Sequence, residues 1–291
     1  MSKPFYATWW FILLCIIGGA VLLVQVAKFR NRNLKRRNDL LEERIKQRTA
    51  QLEEAKGKSD ELLLNILPAE VADELKAKGK SAPRMYKSAS VLFTDFVGFT
   101  ATSAKMEPKK LIEKLDAYFV EFDKITSRYG IEKIKTIGDA YMCASGIPVE
   151  NENNALSLTL AGLQLKTYCE RLKTEQQAHG EVFWDLRLGI HSGPIIAGVV
   201  GVKKFAYDVW GDTVNTASRV ESNGDLNTLN VSETTYNKIK DYFVCDFEKE
   251  VNAKGKGIMK IYQVDRLKPE YSADDTGIYP NEKLKSILKI K

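Results

Sequence analysis

The chain has 291 residues, four cysteines and a formal net charge of +6. The segment from Lys28 to Arg48 holds nine Lys and Arg against three acids, so it accounts for the whole surplus and the rest is neutral in sum. A nucleic-acid-binding protein would carry that surplus on its folded domain, so no nucleic-acid partner is expected. The cysteines have no metal-ligand spacing, and those outside the amino-terminal apolar run are expected to stay reduced.

An apolar run without a charged residue extends from Trp9 to Val26. Its length and the aromatic residues at its start predict a transmembrane helix over residues 9–27, preceded by a short extracytoplasmic or periplasmic N-terminus at residues 1–8. A secretory signal peptide and a buried helix of a soluble domain are the alternatives. The basic segment that follows places the C-terminal side in the cytoplasm, which predicts a single-pass protein of the cell membrane with the lipid bilayer as a partner.

Residues 28–67 follow a heptad pattern that predicts a juxtamembrane coiled coil. Some core positions are polar, so we expect a weak parallel dimer that can shift in register or rotation, and a lone charged helix is the alternative. The core positions, in steps of four and three, are Leu34, Asn38, Leu41, Ile45, Arg48, Leu52, Ala55, Ser59, Leu62 and Ile66.

Pro68 disfavours helical structure in the residue before it and should end this coil. Residues 68–87 are interpreted as a linker with an amphipathic helix over residues 69–78, and the polar residues 266–291 as a mobile C-terminal tail. So few residues precede the apolar run that no sensor domain is expected there. Either the sequence is part of a longer chain, or its input comes from a sensor partner in the membrane or periplasm.

Two aspartates lie where predicted strands end. Asp95 closes the apolar run at residues 90–94, and Asp139 follows Gly138 in a turn between two short strand-like runs. Carboxylates at strand ends can converge on hard divalent cations, and two such cations can support an in-line displacement at phosphorus. Considered alone, such a pair of turn aspartates is more often solvated than metal-binding.

The residues after Asp95 suggest a phosphate site beside these carboxylates. Gly98 allows a ligand to approach the backbone closely, and the amides of residues 96–100 lead into a helical pattern, where they can bind an anion. A second basic and glycine-rich segment, Lys-Gly-Lys-Gly at residues 254–257, precedes a predicted strand. Carboxylates for metal ions beside backbone amides for phosphate are together typical of a metal–triphosphate site.

A helix is predicted to follow Gly211, with Asp212 or Thr213 as its N-cap. Asn215 and Arg219 then lie one turn apart on one face of this helix. An amide can orient a ribose, and a guanidinium can hold phosphate charge.

Four segments together resemble the class III nucleotidyl cyclases, and they occur in the order typical of that family: residues 93–100, 133–142, 207–222 and 254–262. The resemblance implies a cyclase catalytic domain at residues 88–265. It also implies the reaction, the conversion of ATP or GTP to the 3′,5′-cyclic monophosphate and pyrophosphate.

The resemblance further implies a role for each matching residue. Asp95 and Asp139, with the Phe96 backbone, would bind two Mg²⁺ or Mn²⁺ ions per active site. Asn215 would position the ribose, and Arg219 would stabilise charge in the transition state. The phosphates would be bound by Phe96, Val97, Gly98, Phe99, Thr100 and Lys256, with Lys254 as the alternative lysine.

In this family, the metal-binding aspartates of one subunit meet the asparagine and arginine of the other subunit. This chain supplies both sets, so the resemblance implies a homodimer with two equivalent sites. A catalytically silent nucleotide-binding dimerisation module is an alternative, although such a module is expected to lack a motif residue and none is lacking here.

The positions that contact the base in the family are filled here by Lys135 and Asp208. Adenine offers its N1 acceptor to a lysine and its 6-amino donor to a carboxylate, whereas guanine presents the reverse pattern. A buried mismatch costs roughly 1–3 kcal/mol, so the pair favours ATP and hence an adenylyl cyclase. A guanylyl cyclase, which commonly has glutamate and cysteine at these positions, is the alternative.

The order of predicted elements favours an α+β fold with a ferredoxin-like core. Roughly 180 residues are ample for one such core. His191 is interpreted as a structural residue at a strand end. The predicted elements are a strand to Asp95, a helix at 111–129, a hairpin at 133–147, a helix at 153–177, a strand at 183–190, the helix after Gly211, and strands near 243–248 and 259–264.

Overall fold

The structure is a computed structural model that describes residues 9–201, 205–253 and 257–290. The chain divides into two compact units, residues 1–63 and residues 64–291. We describe each unit by itself.

The first unit consists of helix α1, Trp9–Leu64, a continuous helix of 56 residues in which no residue is buried. Within it, an 18-residue window reaches a mean hydropathy of 2.5, which fits a membrane span by length and composition, as a signal sequence would also do. The apolar residues at the predicted coiled-coil core positions are at least half exposed, among them Leu34, Leu41, Ile45, Leu52 and Leu62. These apolar residues of α1 are therefore exposed within the first unit, as far as its residues are described.

The second unit contains an eight-stranded sheet and seven further α-helices among the described residues. The strands are β1 Arg84–Val97, β2 Glu132–Ile137, β3 Ala140–Ser145, β4 Asp185–Val200, β5 Ala206–Trp210, β6 Leu229–Ser232, β7 Phe243–Ala253 and β8 Gly257–Leu267. The helices are α2 Ala69–Lys78, α3 Phe99–Ser103, α4 Pro108–Arg128, α5 Asn154–Ala178, α6 Asp212–Asn223, α7 Glu233–Ile239 and α8 Glu282–Leu288.

The sheet has the order β2-β3-β1-β4-β6-β8-β7, and β5 pairs with β4 outside this path. All pairings are antiparallel except the parallel pair of β4 with β6. The two central strands, β1 and β4, are joined over most of their length, with Asp95 opposite Arg187. This mixed sheet with helices confirms the predicted α+β class and puts Asp95 at the end of a central strand.

The core forms because apolar residues of the sheet meet one nearly continuous buried helix. The first three turns of α5 are buried, and Gly162 lies so close to β6 that a Cβ atom there would be 2.9 Å from Leu229. An aromatic cluster that includes Phe96, Tyr118 and Trp184 packs at the end of β1, with Phe96 and Tyr118 edge to face at 4.9 Å between centroids. This packing of aromatic side chains therefore fixes the position of the end of β1.

Strand β4 is the predicted element that differs most in length from the structure. Strand β4 continues ten residues beyond its predicted end at Ile190, because its glycines and Pro194 are accommodated in the pairing with β1 and β5. Gly193, which resembles a turn signal in the sequence, instead lets Thr213 approach, since a Cβ there would lie 2.5 Å from the Thr213 hydroxyl. Helix α2 has the predicted bounds, Ala69–Lys78.

The C-terminal segment differs from the expected mobile tail. It forms a 3₁₀ turn at Pro269–Tyr271 and then helix α8, which buries Leu284 and Leu288 in the main core. The Asn153 side chain also donates a hydrogen bond to the Ile287 carbonyl at 2.9 Å. Only a few apolar residues, spaced one turn apart among polar ones, carry this packing, which is why composition alone suggested a tail.

Candidate active site

Asp95 occupies the end of β1 and is held within the chain by an arginine of the neighbouring strand. The Arg187 Nη2 atom donates to Asp95 Oδ2 at 3.3 Å, as expected for residues directly opposite each other in an antiparallel pair. The Asp95 side chain is 33% exposed. The carboxylate is thus fixed in direction and still open to a ligand.

Asp139 lies in the two-residue turn between β2 and β3, where Gly138 has a φ of 64° that favours glycine. Its carboxylate accepts a hydrogen bond from the Phe96 N–H, which brings it to the end of β1. Burial raises the pKa of Asp139, and the nearby charge of Asp95 raises this pKa further. We call Asp95 and Asp139 the carboxylate edge.

The chemistry of the carboxylate edge fits a divalent cation such as Mg²⁺ or Mn²⁺. Because the charge of Asp95 disfavours ionisation of Asp139, a cation between the two carboxylates would be stabilising, and oxygen ligands suit these ions. Among the described residues, no group of three or more His, Cys, Asp or Glu side chains is arranged to hold a metal. The remaining ligands would therefore have to come from backbone oxygens, water or a bound phosphate.

The predicted phosphate loop follows directly on β1. Gly98 has a φ of 80° and is the N-cap residue of the short helix α3, so the chain reverses there with no Cβ in the way. Phe99 packs on Trp184 with 5.2 Å between centroids, which anchors the loop to the core. The Phe96 N–H is already engaged by Asp139, so of the predicted amides it is the one least available to a phosphate.

Asn215 and Arg219 lie one turn apart on α6, as predicted, and we call them the α6 face. The N-cap is Gly211 and not Asp212 or Thr213, because Gly211 has a φ of 135° and the helix begins one residue earlier than expected. Among the described residues, neither the Asn215 amide nor the Arg219 guanidinium has a side-chain hydrogen bond or ion pair. The α6 face is therefore free for another molecule.

Lys135 on β2 and Asp208 on β5 are brought together although 73 residues separate them. The Lys135 Nζ atom donates to Asp208 Oδ2 at 2.5 Å, and Asp208 Oδ1 accepts from the Val209 N–H. The two side chains are 42% and 20% exposed, so the pair is accessible from one side. Lys254 and Lys256 lie outside the described residues.

Sequence reasoning missed two charged residues at this site, Arg187 and Glu221. The Arg187 Nε atom lies 3.3 Å from Glu221 Oε1, and the Glu221 side chain is only 8% exposed. Glu221 could have been suspected, since it follows the buried Ala217 by one turn of α6, whereas Arg187 fits the polar–apolar alternation of β4 and gave no such signal. Charges at positions that a pattern assigns to the core usually have a partner.

Two other residue sets from the sequence lie apart from these groups. His191 Nδ1 is 2.7 Å from the Ser232 hydroxyl within a buried network of hydroxyl groups, which is consistent with a structural role. The four cysteines are free thiols: Cys143 and Cys169 are buried, Cys245 is half-buried and Cys15 is exposed on α1.

Comparison with known proteins shows the family of the second unit. The model of the adenylate and guanylate cyclase catalytic domain matches residues 82–266. An adenylate cyclase of Mycobacterium bovis is 38% identical over 214 residues, which are 73% of this chain and 47% of that protein. The receptor-type guanylate cyclase gcy-5 of Caenorhabditis elegans is also 38% identical, over 229 residues that are 77% of this chain and 20% of that protein.

Among solved structures, the catalytic core of a rhodopsin-guanylyl cyclase with converted specificity, in complex with ATPαS, is 36% identical with a TM-score of 0.58. The match covers 63% of this chain and 98% of that one. The chain spans about half the length of the first relative above and a fifth of the second. This chain belongs to the family of adenylate and guanylate cyclase catalytic domains.

Proposed function

We propose that this chain is an adenylyl cyclase, which converts ATP to 3′,5′-cyclic AMP and pyrophosphate at a homodimer interface. The observation that carries this proposal is the Lys135–Asp208 pair, within a domain that also keeps the carboxylate edge and the α6 face. In the reaction, the ribose 3′ oxygen forms a bond to the α-phosphorus while the bond from that phosphorus to pyrophosphate breaks. The proton of the 3′ hydroxyl group is released to solvent.

The choice of ATP rests on hydrogen-bond complementarity. In the structure Lys135 and Asp208 satisfy each other at 2.5 Å, which keeps one donor and one acceptor together at the place where a base would enter. Adenine can replace each partner with its N1 acceptor and 6-amino donor, whereas guanine would leave Asp208 facing a carbonyl oxygen. A guanylyl cyclase remains the second candidate, because relatives of both kinds are 38% identical to this chain.

Each residue of the site then has a task in the reaction. Two divalent ions held by Asp95 and Asp139, with the Phe96 carbonyl, would activate the 3′ hydroxyl and neutralise the leaving pyrophosphate. Asn215 orients the ribose, and Arg219 stabilises the charge that develops on the transferring phosphoryl group. The backbone from Val97 to Thr100 binds the terminal phosphates, together with Lys256 or Lys254.

The way these groups are held supports a homodimer. The carboxylate edge is tied to partners within its own chain, whereas the α6 face has no partner there among the described residues. Two copies related by a twofold axis would bring the carboxylate edge of each to the α6 face of the other, giving two equivalent sites.

The apolar run at residues 9–27 is proposed as a membrane anchor, with the catalytic domain in the cytoplasm where ATP is available. The basic residues that follow it favour this orientation. The exposed apolar residues of α1 beyond the anchor support a coiled coil over residues 28–67. Input from a sensor partner in the membrane or periplasm would then reach the catalytic domains through this coil.

The test is product formation by the purified full chain with Mg²⁺ or Mn²⁺, with ATP and GTP supplied separately. Cyclic AMP as the main product, lost in Asp95→Ala, supports the proposal. Cyclic GMP as the main product would overturn the reading of Lys135 and Asp208. No product from a dimeric chain would favour the silent nucleotide-binding module.

A further inference from the structure

The whole positive surplus of the chain lies within ten residues of helix α1, directly after its apolar run. Residues 28–37 contain six Lys and Arg and no Asp or Glu, whereas the other Lys and Arg equal the Asp and Glu at 38 each. The next segment, residues 39–48, has three cations and three acids and is neutral. We call the six cations the basic collar: Lys28, Arg30, Arg32, Lys35, Arg36 and Arg37.

The chain supplies no counter-charge to the basic collar. All six side chains are exposed, and among the residues that the structure describes none of them has a hydrogen bond or an ion pair. Ion pairs do form further along the same helix, as between Lys58 and Glu54 at 2.7 Å. Like charges on neighbouring turns of a helix repel one another, so an anion from outside the chain is stabilising at the collar.

The helix also fixes the distance of the collar from the apolar run. Helix α1 is continuous over Trp9–Leu64, and each helical residue adds about 1.5 Å. Counted from Val26, residues 28–32 lie about 3–9 Å beyond the run and Arg37 lies about 16 Å beyond it. A headgroup layer is roughly 5–8 Å thick, and a charge acts over about 8 Å more at physiological salt. The proposed anchor therefore places half of the collar among headgroups and the rest within their range.

The proposed parallel dimer makes the need for an anion larger. The heptad pattern puts Arg30 and Arg37 on one flank of the coil core, and Lys35 and Glu42 on the other flank. A residue on the first flank faces the residue five positions later in the partner chain. Arg30 thus faces the partner's Lys35, a like charge, whereas Arg37 faces the partner's Glu42, an opposite charge. The repulsion is confined to the end of the coil that lies next to the membrane.

We propose that the basic collar is a binding surface for the anionic headgroups of the membrane that holds α1. This inference rests on the membrane anchor of the proposed function. Lys and Arg donate charge-assisted hydrogen bonds to phosphate oxygens, and a lipid with net negative charge, such as phosphatidylglycerol, also neutralises the collar. Phosphatidylcholine has the same phosphate but no net charge, so it is the lipid that the collar discriminates against.

The experiment measures lipid preference directly. The full chain is reconstituted in phosphatidylcholine bilayers with a trace of spin-labelled phosphatidylglycerol or spin-labelled phosphatidylcholine. Electron paramagnetic resonance then gives the fraction of each labelled lipid that the protein immobilises, without any turnover. We expect a preference of about fivefold for phosphatidylglycerol in 0.1 M salt. The preference should fall to within about twofold of unity in 1 M salt, because the screening length shortens to about 3 Å.

A triple variant of the collar tests which residues carry the preference. Replacing the three cations nearest the apolar run, Lys28→Gln, Arg30→Gln and Arg32→Gln, should lower the preference to within about twofold of unity. The remaining collar cations still favour the same orientation of the anchor.

The matched control removes three cations from the same helix about 27–45 Å beyond the apolar run, outside the range of the headgroups. It should keep the preference of about fivefold. The control substitutions are Arg44→Gln, Lys46→Gln and Lys56→Gln.

A preference near unity in an inserted, unchanged chain, or equal preferences in the collar and control variants, would overturn this inference alone. If the collar variant does not insert, the unchanged chain decides, and a preference that persists in 1 M salt counts against the collar. A chain that does not insert into bilayers refutes the membrane anchor together with this inference. A chain that prefers phosphatidylglycerol but forms no cyclic AMP supports the collar and counts against the proposed reaction.

Discussion

The carboxylate edge and the α6 face differ in whether their side chains have hydrogen-bond partners within their own chain. Asp95 and Asp139 accept hydrogen bonds from Arg187 and from the Phe96 N–H, so their directions are set before any ligand arrives. Asn215 and Arg219 have no such partner among the residues that the structure describes, although the opposite side of their helix is buried. The difference shows that the fold orients the carboxylate edge within one chain, whereas the α6 face is left open for the second copy that the proposed dimer supplies.

The largest expected effect comes from removing a carboxylate. Asp95→Ala should lower turnover about a thousandfold, because a metal ligand that also fixes the reacting phosphate is lost. The measurement is cyclic AMP formation from ATP at saturating Mn²⁺. The control is Asp225→Asn, an acid whose side chain is 67% exposed in its ion pair with Lys249 and which should keep its rate. Comparable activity in Asp95→Ala would remove the carboxylate edge from the mechanism.

Mixing two inactive variants tests whether the halves meet across chains. Asp95→Ala and Arg219→Ala should each be nearly inactive alone. Equal mixing by co-expression should restore about a quarter of the unchanged activity, since half of the dimers carry one intact site. Activity that stays at the level of the single variants, in chains shown to associate, would mean that the carboxylate edge and the α6 face act within one chain.

Replacing Lys135 and Asp208 should change the preference between ATP and GTP more than it changes the turnover rate. Lys135→Glu together with Asp208→Cys reverses the donor and acceptor pattern, so the ratio of GTP to ATP turnover should rise roughly ten- to hundredfold. The measurement is kcat/KM for both nucleotides. Asp208→Asn keeps the shape of the side chain and serves as control: it should relax the preference without reversing it. An unchanged ratio in the double variant would exclude this pair from contact with the base.

The sequence predicted the elements and residues whose signals are local. Asp95 follows an apolar run, Gly138 and Asp139 mark a turn, and Asn215 and Arg219 are spaced by one helical turn, so each could be placed from its neighbours alone. The Lys135–Asp208 contact depends on the pairing of distant strands, and only the family resemblance brought the two residues together beforehand.

Other features could not be read from local signals. The ion pair between Glu221 and Arg187 forms only because α6 packs beside β1 and β4, which no spacing in the sequence encodes. In the same way, the tail that packs α8 into the core depends on two leucines, Leu284 and Leu288, whose burial is a tertiary event.

The difference between the carboxylate edge and the α6 face also predicts which residues contribute to stability. Arg219→Ala should change the free energy of unfolding by less than about 0.5 kcal/mol, as expected for a partly exposed side chain that has no partner among the described residues. Its melting temperature, measured without nucleotide, should therefore match that of the unchanged chain. A clear loss of stability would mean that the α6 face is not reserved for another molecule and has a structural role within its own chain.

A second prediction about stability concerns a carboxylate that has partners on both sides but no proposed ligand. Asp185 accepts from Lys173 Nζ at 2.6 Å and from Asn227 Nδ2 at 2.8 Å. Burial alone would raise the pKa of Asp185, but these hydrogen bonds outweigh it and hold the pKa below its usual value. Asp185→Asn should therefore cost about 1 kcal/mol at neutral pH.

The sign of the pH dependence follows from that lowered pKa. Because the folded-state pKa of Asp185 lies below the unfolded value, its contribution is fully present above the unfolded pKa of about 4 and is lost as the pH falls through the folded value. The free energies of unfolding of Asp185→Asn and of the unchanged chain should therefore converge as the pH is lowered below about 4. If the two free energies of unfolding differ by the same amount across this pH range, then shape and packing, and not charge, make Asp185 stabilising. That result would argue against using ion pairs within the chain to separate structural charges from functional ones.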